Sequence, residues 1–88
     1  MITREKFAEY VGRNVVAARK HMNVEPDKLA DIADLHPNTV KRIEAGLSCP
    51  HSMTLGKIAA ALFCEPGDLL PALEELKPGK RARLKAVA

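Results

Sequence analysis

The sequence predicts an all-α fold, a compact bundle of about five helices. Three observations predict it. Aromatic residues make up only 3% of the chain, and the apolar stock is Ala, Leu, Val and Ile with few β-branched runs, which favours helix over sheet. Apolar residues recur at steps of three and four, the spacing of one helical face. Between those stretches fall Pro26, Pro37, Gly46 and Pro66-Gly67, residues that start or stop helices.

The first helix starts at Thr3, a good N-cap, with Glu5 in its first turn. Phe7, Val11, Val15, Ala18 and Met22 form one apolar stripe, so the helix runs to Met22 or Asn23, weakened locally by Gly12. The second begins near Pro26, with Asp27 at its positive end and Leu29, Ile32 and Ala33 on its buried side. Pro37 disfavours helical geometry at His36 and ends it. The third restarts at Pro37 and runs to Ala45, where Gly46 supplies a left-handed stop. Only a tight turn fits between Asp34 and Pro37, so the second and third helices make a helix-turn-helix arrangement. Leu47 to His51 is loop. Ser52 caps a fourth helix with Leu55, Ile58, Ala59 and Leu62 inward. Glu65-Pro66-Gly67-Asp68 breaks it, and Leu69-Leu70 with Ala72–Leu76 make a short fifth helix, interrupted at Pro71.

Eighty-eight residues make one domain with a modest core and no cleft between two domains. There is no internal repeat and no low-complexity segment. The net charge of +3 is unevenly spread. Lys77, Lys80, Arg81, Arg83 and Lys85 face no acid in the last twelve residues, which leaves nine basic against eleven acidic residues in 1–76. Residues 1–76 therefore read as the folded domain and 77–88 as a basic, flexible tail. Bulk basicity does not make the body a nucleic-acid binder; a concentration of basic groups on one face is required. No apolar run reaches the ~20 residues of a membrane span, and Met1-Ile2-Thr3-Arg4-Glu5-Lys6 lacks a signal-peptide core, so the expectation is a cytoplasmic chain without membrane contact. Cys49 and Cys64 lack a CxxC partner and read as free thiols.

A helical wheel for the third helix separates two faces. With Val40 at zero, Val40, Ile43 and Leu47 cluster near about 330° and face the core. Asn38, Lys41, Arg42 and Ala45 fall between about 100° and 200°, facing out. An outward amide, ammonium, guanidinium and methyl suit the major groove. Arg42 can grip guanine O6 and N7, and Asn38 can grip adenine N6 and N7. Lys41 and the Thr39 hydroxyl stand better for phosphates.

The stretch from Val15 to Leu70, about two-thirds of the chain, resembles the Cro/cI-type (XRE-like) helix-turn-helix domain of phage repressors and many bacterial regulators. The segments that carry the resemblance are Val15-Val16-Ala17-Ala18-Arg19-Lys20, Leu29-Ala30-Asp31-Ile32-Ala33, Thr39-Val40-Lys41-Arg42-Ile43-Glu44-Ala45-Gly46, Pro50, and Leu55-Gly56-Lys57-Ile58-Ala59-Ala60-Ala61-Leu62. Each is weak alone; five in order and spacing are strong. The resemblance implies a lambda-repressor-like bundle and a sequence-specific transcriptional regulator. It implies that Ala30 lets the third helix pack close, and that Arg19 and Glu44 form a partly buried ion pair. It places base reading at Pro37, Asn38 and Arg42, with His36 and Lys41 at the edge. It places phosphate contacts at the start of the second helix and at Leu47 and Ser48. The candidates are thus Pro37, Asn38, Lys41 and Arg42 toward bases, and His36, Thr39, Leu47 and Ser48 toward the backbone. Three positions depart from the pattern. Pro26 replaces a phosphate-binding Gln and donates nothing. Asp34 replaces the usual turn Gly, at some cost. Pro37 offers a base only an apolar contact.

One recognition helix covers too few base pairs for a genome, so a homodimer on a partly palindromic operator is expected, with half-sites about one turn apart. Leu69, Leu70, Leu73 and Leu76 are the candidate dimer surface. The alternative is an antitoxin-like role, in which Ala72–Ala88 binds a second protein and DNA binding serves autoregulation. With no room for a ligand domain, control is expected through concentration, operator overlap or a partner. Cys49-Pro50-His51 with His36 or His21 fits no zinc spacing, and there is no Gly-rich phosphate loop or GxSxG, so no metal, cofactor or catalysis is expected.

Overall fold

A computed structural model describes residues 2–72. Among them are four α-helices: α1 (Arg4–His21), α2 (Pro26–Ala33), α3 (Pro37–Glu44) and α4 (Ser52–Ala61). A 3-10 turn, Pro66–Leu69, follows. The expected helix Ala72–Leu76 lies outside the described residues from Leu73 onward, as does the segment 77–88.

Thr3 opens α1: its Oγ1 accepts the Lys6 N–H at 3.1 Å, satisfying one of the free amides of the first turn. Pro stands at the first position of both α2 and α3, where its fixed φ suits a helix and its missing N–H costs nothing. All four helices end alike. A residue in the left-handed region turns the chain, and two backbone N–H groups reach back to the last carbonyls. The left-handed residue is Asn23 after α1, Asp34 after α2, Gly46 after α3 and Phe63 after α4. Asp34, at φ 58°, ψ 51°, adopts the geometry that the turn demands.

Val11, Val15, Leu29, Ala30, Val40, Ile43, Ile58, Ala59, Leu62 and Leu69 form one buried cluster. It draws on all four helices and the 3-10 turn. α3 packs on α1 and α2, α4 packs on α2, and the 3-10 turn closes between α4 and α1. Asn14 on α1 donates through Nδ2 to the carbonyls of both Leu69 and Leu70, each at 3.1 Å, and ties that turn down. No helix among the described residues is long and apolar enough to cross a membrane.

Six local expectations change. Gly12 does more than weaken α1: a Cβ there would sit 2.5 Å from the Ile43 carbonyl oxygen, so the glycine allows α3 to approach. Ile32 is about half exposed, because the inward arc of α2 centres on Leu29, Ala30 and Ala33. Leu47 is exposed rather than core-facing, because Gly46 at φ 76° takes it off the wheel of α3. Ser52 is the first helical residue and not the cap; the His51 carbonyl already accepts the Leu55 N–H. The stretch from Glu65 to Asp68 does not simply break the chain. Glu65 and Asp68 form a reciprocal capping box that builds the 3-10 turn. Leu69, expected on a dimer surface, is 1% exposed and belongs to the monomer core, with Leu70 half-buried against it. Leu73 and Leu76 lie outside the described residues.

Candidate nucleic-acid interface

α3 is eight residues long, too short to persist alone, so its position depends on what grips its inner face and its ends. Val40 and Ile43 hold the inner face, at 0% and 1% exposure. The N-terminal end is capped by His36, whose Nδ1 accepts the Asn38 backbone N–H at 3.0 Å. The C-terminal end is closed by the Gly46 N–H on the Ile43 carbonyl and the Leu47 N–H on the Arg42 carbonyl.

An ion pair ties that end to α1. Arg19 is 9% exposed and spends its donors on two elements. Nε donates to Glu44 Oε2 at 2.7 Å and Nη2 to Oε1 at 3.2 Å. Nη1 donates to the Val24 carbonyl at 2.9 Å, in the connection from α1 to α2. A two-pronged guanidinium–carboxylate contact fixes angle as well as distance. Glu44 is thereby removed from the outer surface, and no other carboxylate lies on α3.

What remains outward on α3 is cationic and amide-bearing. Pro37, Asn38, Lys41, Arg42 and Ala45 are exposed, as is His36 just ahead of the helix. Thr39 and Ser48 are half-buried, and Leu47 projects from the loop after the helix. Seven of the eight candidate DNA contacts lie on α3, its cap or the residue just after its turn, and Ser48 follows directly. The start of α2 is different. Glu25 makes no side-chain capping bond, Pro26 has no N–H, and Asp27 adds an exposed carboxylate. That end is poorly suited to an anion.

Sequence reasoning missed the capping role of His36, the carbonyl contact of Arg19 to Val24, and the close approach at Gly12. A His ahead of a Pro at the start of a helix was the available signal for the first. The others depend on contacts between elements distant in sequence. Among the described residues, no group of three or more His, Cys, Asp and Glu is placed to hold a metal. Cys49 and Cys64 are both free and half-buried. Burial, together with the charges of Asp68 and Glu65, raises the Cys64 thiol above its ordinary pKa.

The helix-turn-helix family HTH_3 matches residues 15–69, which span α2, the turn, α3 and α4. The chain belongs to this family. Solved structures agree on its fold. The restriction-modification controller protein C.AhdI from Aeromonas hydrophila superposes with a TM-score of 0.68 at 24% identity, over 70% of this chain and 94% of that one. An HTH_3 family transcriptional regulator from Vibrio cholerae gives 0.73 at 25% identity, over 76% of this chain and 38% of that longer one. The hypothetical transcription factor NHTF from Neisseria gives 0.73 at 20% identity, over 98% and 91%. No curated protein matches the chain.

Proposed function

We propose that this chain is a sequence-specific double-stranded DNA-binding transcriptional regulator of the repressor type, in which α2 and α3 form the helix-turn-helix and α3 enters the major groove. The observation that carries this is the division of α3 into two faces. Val40 and Ile43 are buried, while Asn38, Lys41 and Arg42 are exposed and the one carboxylate of the helix, Glu44, is paired with Arg19. Membership in a helix-turn-helix family supports the same reading, as does the likeness to proteins described as a controller and as transcriptional regulators.

Arg42 and Asn38 read base edges through paired hydrogen bonds. Pro37 meets an apolar base edge such as a thymine methyl. Lys41, at the rim of the outward face, serves base or phosphate. Thr39, Ser48 and the Leu47 backbone position the helix against the sugar–phosphate wall. With Pro26 and two carboxylates at the start of α2, little phosphate affinity comes from that end. One α3 reads only a few base pairs, so the operator is read by a homodimer with half-sites about one helical turn apart. Leu69 lies in the core, so of the expected dimer residues that are described only the half-buried Leu70 is left for that surface, with the exposed Phe63 at the end of α4 a further apolar group near it in sequence.

Two substitutions test the reading. Arg42→Ala costs about 1–3 kcal/mol of operator binding and relaxes the preference at one position in each half-site. Lys41→Ala, if it meets phosphate, weakens all duplexes alike and lowers the salt slope by about one. Unchanged affinity for Arg42→Ala in a titration on selected duplex removes the base-reading assignment.

A further inference from the structure

α4 turns Leu55, Ile58, Ala59 and Leu62 toward the molecule and leaves a second, unpartnered face. Met53, Gly56 and Ala60 follow that outer face, and Phe63 stands at its end. Met53 is 67% and Phe63 85% exposed, so both apolar groups lie open to water. Ile32, also exposed, extends the face across a shallow groove lined by Ile32, Ala33, Lys57, Ala60 and Ala61. Two residues of this face weaken the monomer. Gly56 lowers helix stability, yet a Cβ there would meet nothing within 4 Å, so no contact inside the chain requires it. Phe63 holds φ 56° where a glycine would be unstrained. We propose that a second copy of this chain docks on this face, with the two α4 helices antiparallel, Met53 of one protomer against Phe63 of its partner and Gly56 against Ala60. This names a surface for the homodimer of the reading above and rests on that reading.

Spacing and charge both favour a second copy. The steps from Met53 to Gly56, Ala60 and Phe63 are three, four and three, the same from either end. An antiparallel pair therefore sets large side chains against large ones at the ends and small against small at the centre, where the helices approach. A two-fold contact also sets each surface against itself. The outer stripe of α1 carries Lys6, Arg13 and Lys20, and α2 with its C-cap carries Asp27, Asp31 and Asp34, so on either of them like charges would meet. α4 has one charge, Lys57, whose long stem lets the ammonium leave the contact for water. The same pairing brings the positive end of each α4, beside His51, level with Glu65 of the other copy. Burying both Phe63 and both Met53 side chains with the small residues between them removes roughly 1,000 Å² in total, the lower edge of a specific interface. The pair is therefore weak alone and is strengthened where two half-sites hold the copies close.

Sedimentation equilibrium of the full chain without DNA tests the contact apart from the DNA reading. The parent is expected to dimerise reversibly below about 1 mM. Ala60→Glu brings two carboxylates together at the centre and raises the dissociation constant at least about tenfold. Phe63→Gly does the same while melting no lower than the monomeric parent, so a loss of fold cannot explain it. Met53→Glu combined with Phe63→Lys associates at least about tenfold more tightly than Met53→Glu combined with Phe63→Glu, which the antiparallel register alone requires. A parent that stays monomeric, either single variant dimerising as the parent does, or equal association of the two paired variants overturns the proposal. So does Ala60→Glu melting lower with no change in mass, which means that the chain covers its own α4. Parent and variants are also titrated on selected duplex. A parent that dimerises and binds no duplex removes the DNA reading and leaves the α4 contact; one that binds duplex and never dimerises removes the contact alone.

Discussion

Single residues decide where α3 sits. Arg19 and Glu44 are the clearest case: both side chains are close to fully covered, and each satisfies the other. Arg19→Ala leaves a carboxylate without its cation and the Val24 carbonyl without a donor. The expected loss is about 3 kcal/mol, read by urea denaturation, since breaking a buried pair costs far more than losing a surface one. An unchanged midpoint would mean the pair contributes nothing to holding α3. Phe63 is a case of the opposite sign. It holds a left-handed conformation at φ 56° with its ring 85% exposed, so it bears the strain of a Cβ without packing in return. Phe63→Gly is expected to stabilise the isolated monomer by about 1 kcal/mol, seen as a higher melting temperature. The Arg19–Glu44 pairing was legible through the family resemblance. The strain at Phe63 was not, because a sequence shows where a helix stops but not which residue must take the positive φ.

At the scale of elements, the chain's punctuation was legible and its contacts were not. Thr3, Pro26, Pro37 and Gly46 announce their helix ends through local chemistry, and those boundaries agree with the structure within a residue or two. Ser52 was misread because a Ser ahead of an apolar stretch suits both the cap and the first turn. Leu47 was misread because a helical wheel assumes that the helix continues, whereas the Gly46 turn ends its periodicity. Gly12 shows why propensity alone misleads. Gly→Ala inside a helix ordinarily adds about 1 kcal/mol of stability. Here the new methyl would meet the Ile43 and Glu44 carbonyls of α3. Gly12→Ala is therefore expected to destabilise by about 2 kcal/mol and to displace α3, measurable as a lower denaturation midpoint together with weaker DNA binding. A gain in stability would show that α1 and α3 are not in such close contact.

For the whole molecule, the charge distribution favours a localised contact over general stickiness. The outward face of α3 and its cap carry Lys41, Arg42, Asn38 and His36, while α2 and its C-cap beside it expose Asp27, Asp31 and Asp34 against the single cation Lys28. A body with that balance gains little from non-specific attraction, so base contacts must contribute a large share of useful affinity. The fold class and the outward set on α3 could be read in the sequence because both follow from helical periodicity. The assignment of Leu69 could not. The same periodic apolar pattern serves a core or an interface, and what draws that turn inward is its packing on α4 and α1 together with the Asn14 contact to the Leu69 and Leu70 carbonyls. The most direct test of the central claim is selection of binding sites from a random duplex pool by the full chain. The expected result is an enriched, two-fold symmetric sequence with half-sites about one DNA turn apart, one position of which loses its preference in Arg42→Ala. A pool that emerges without any enriched sequence, while the protein remains folded, would contradict it.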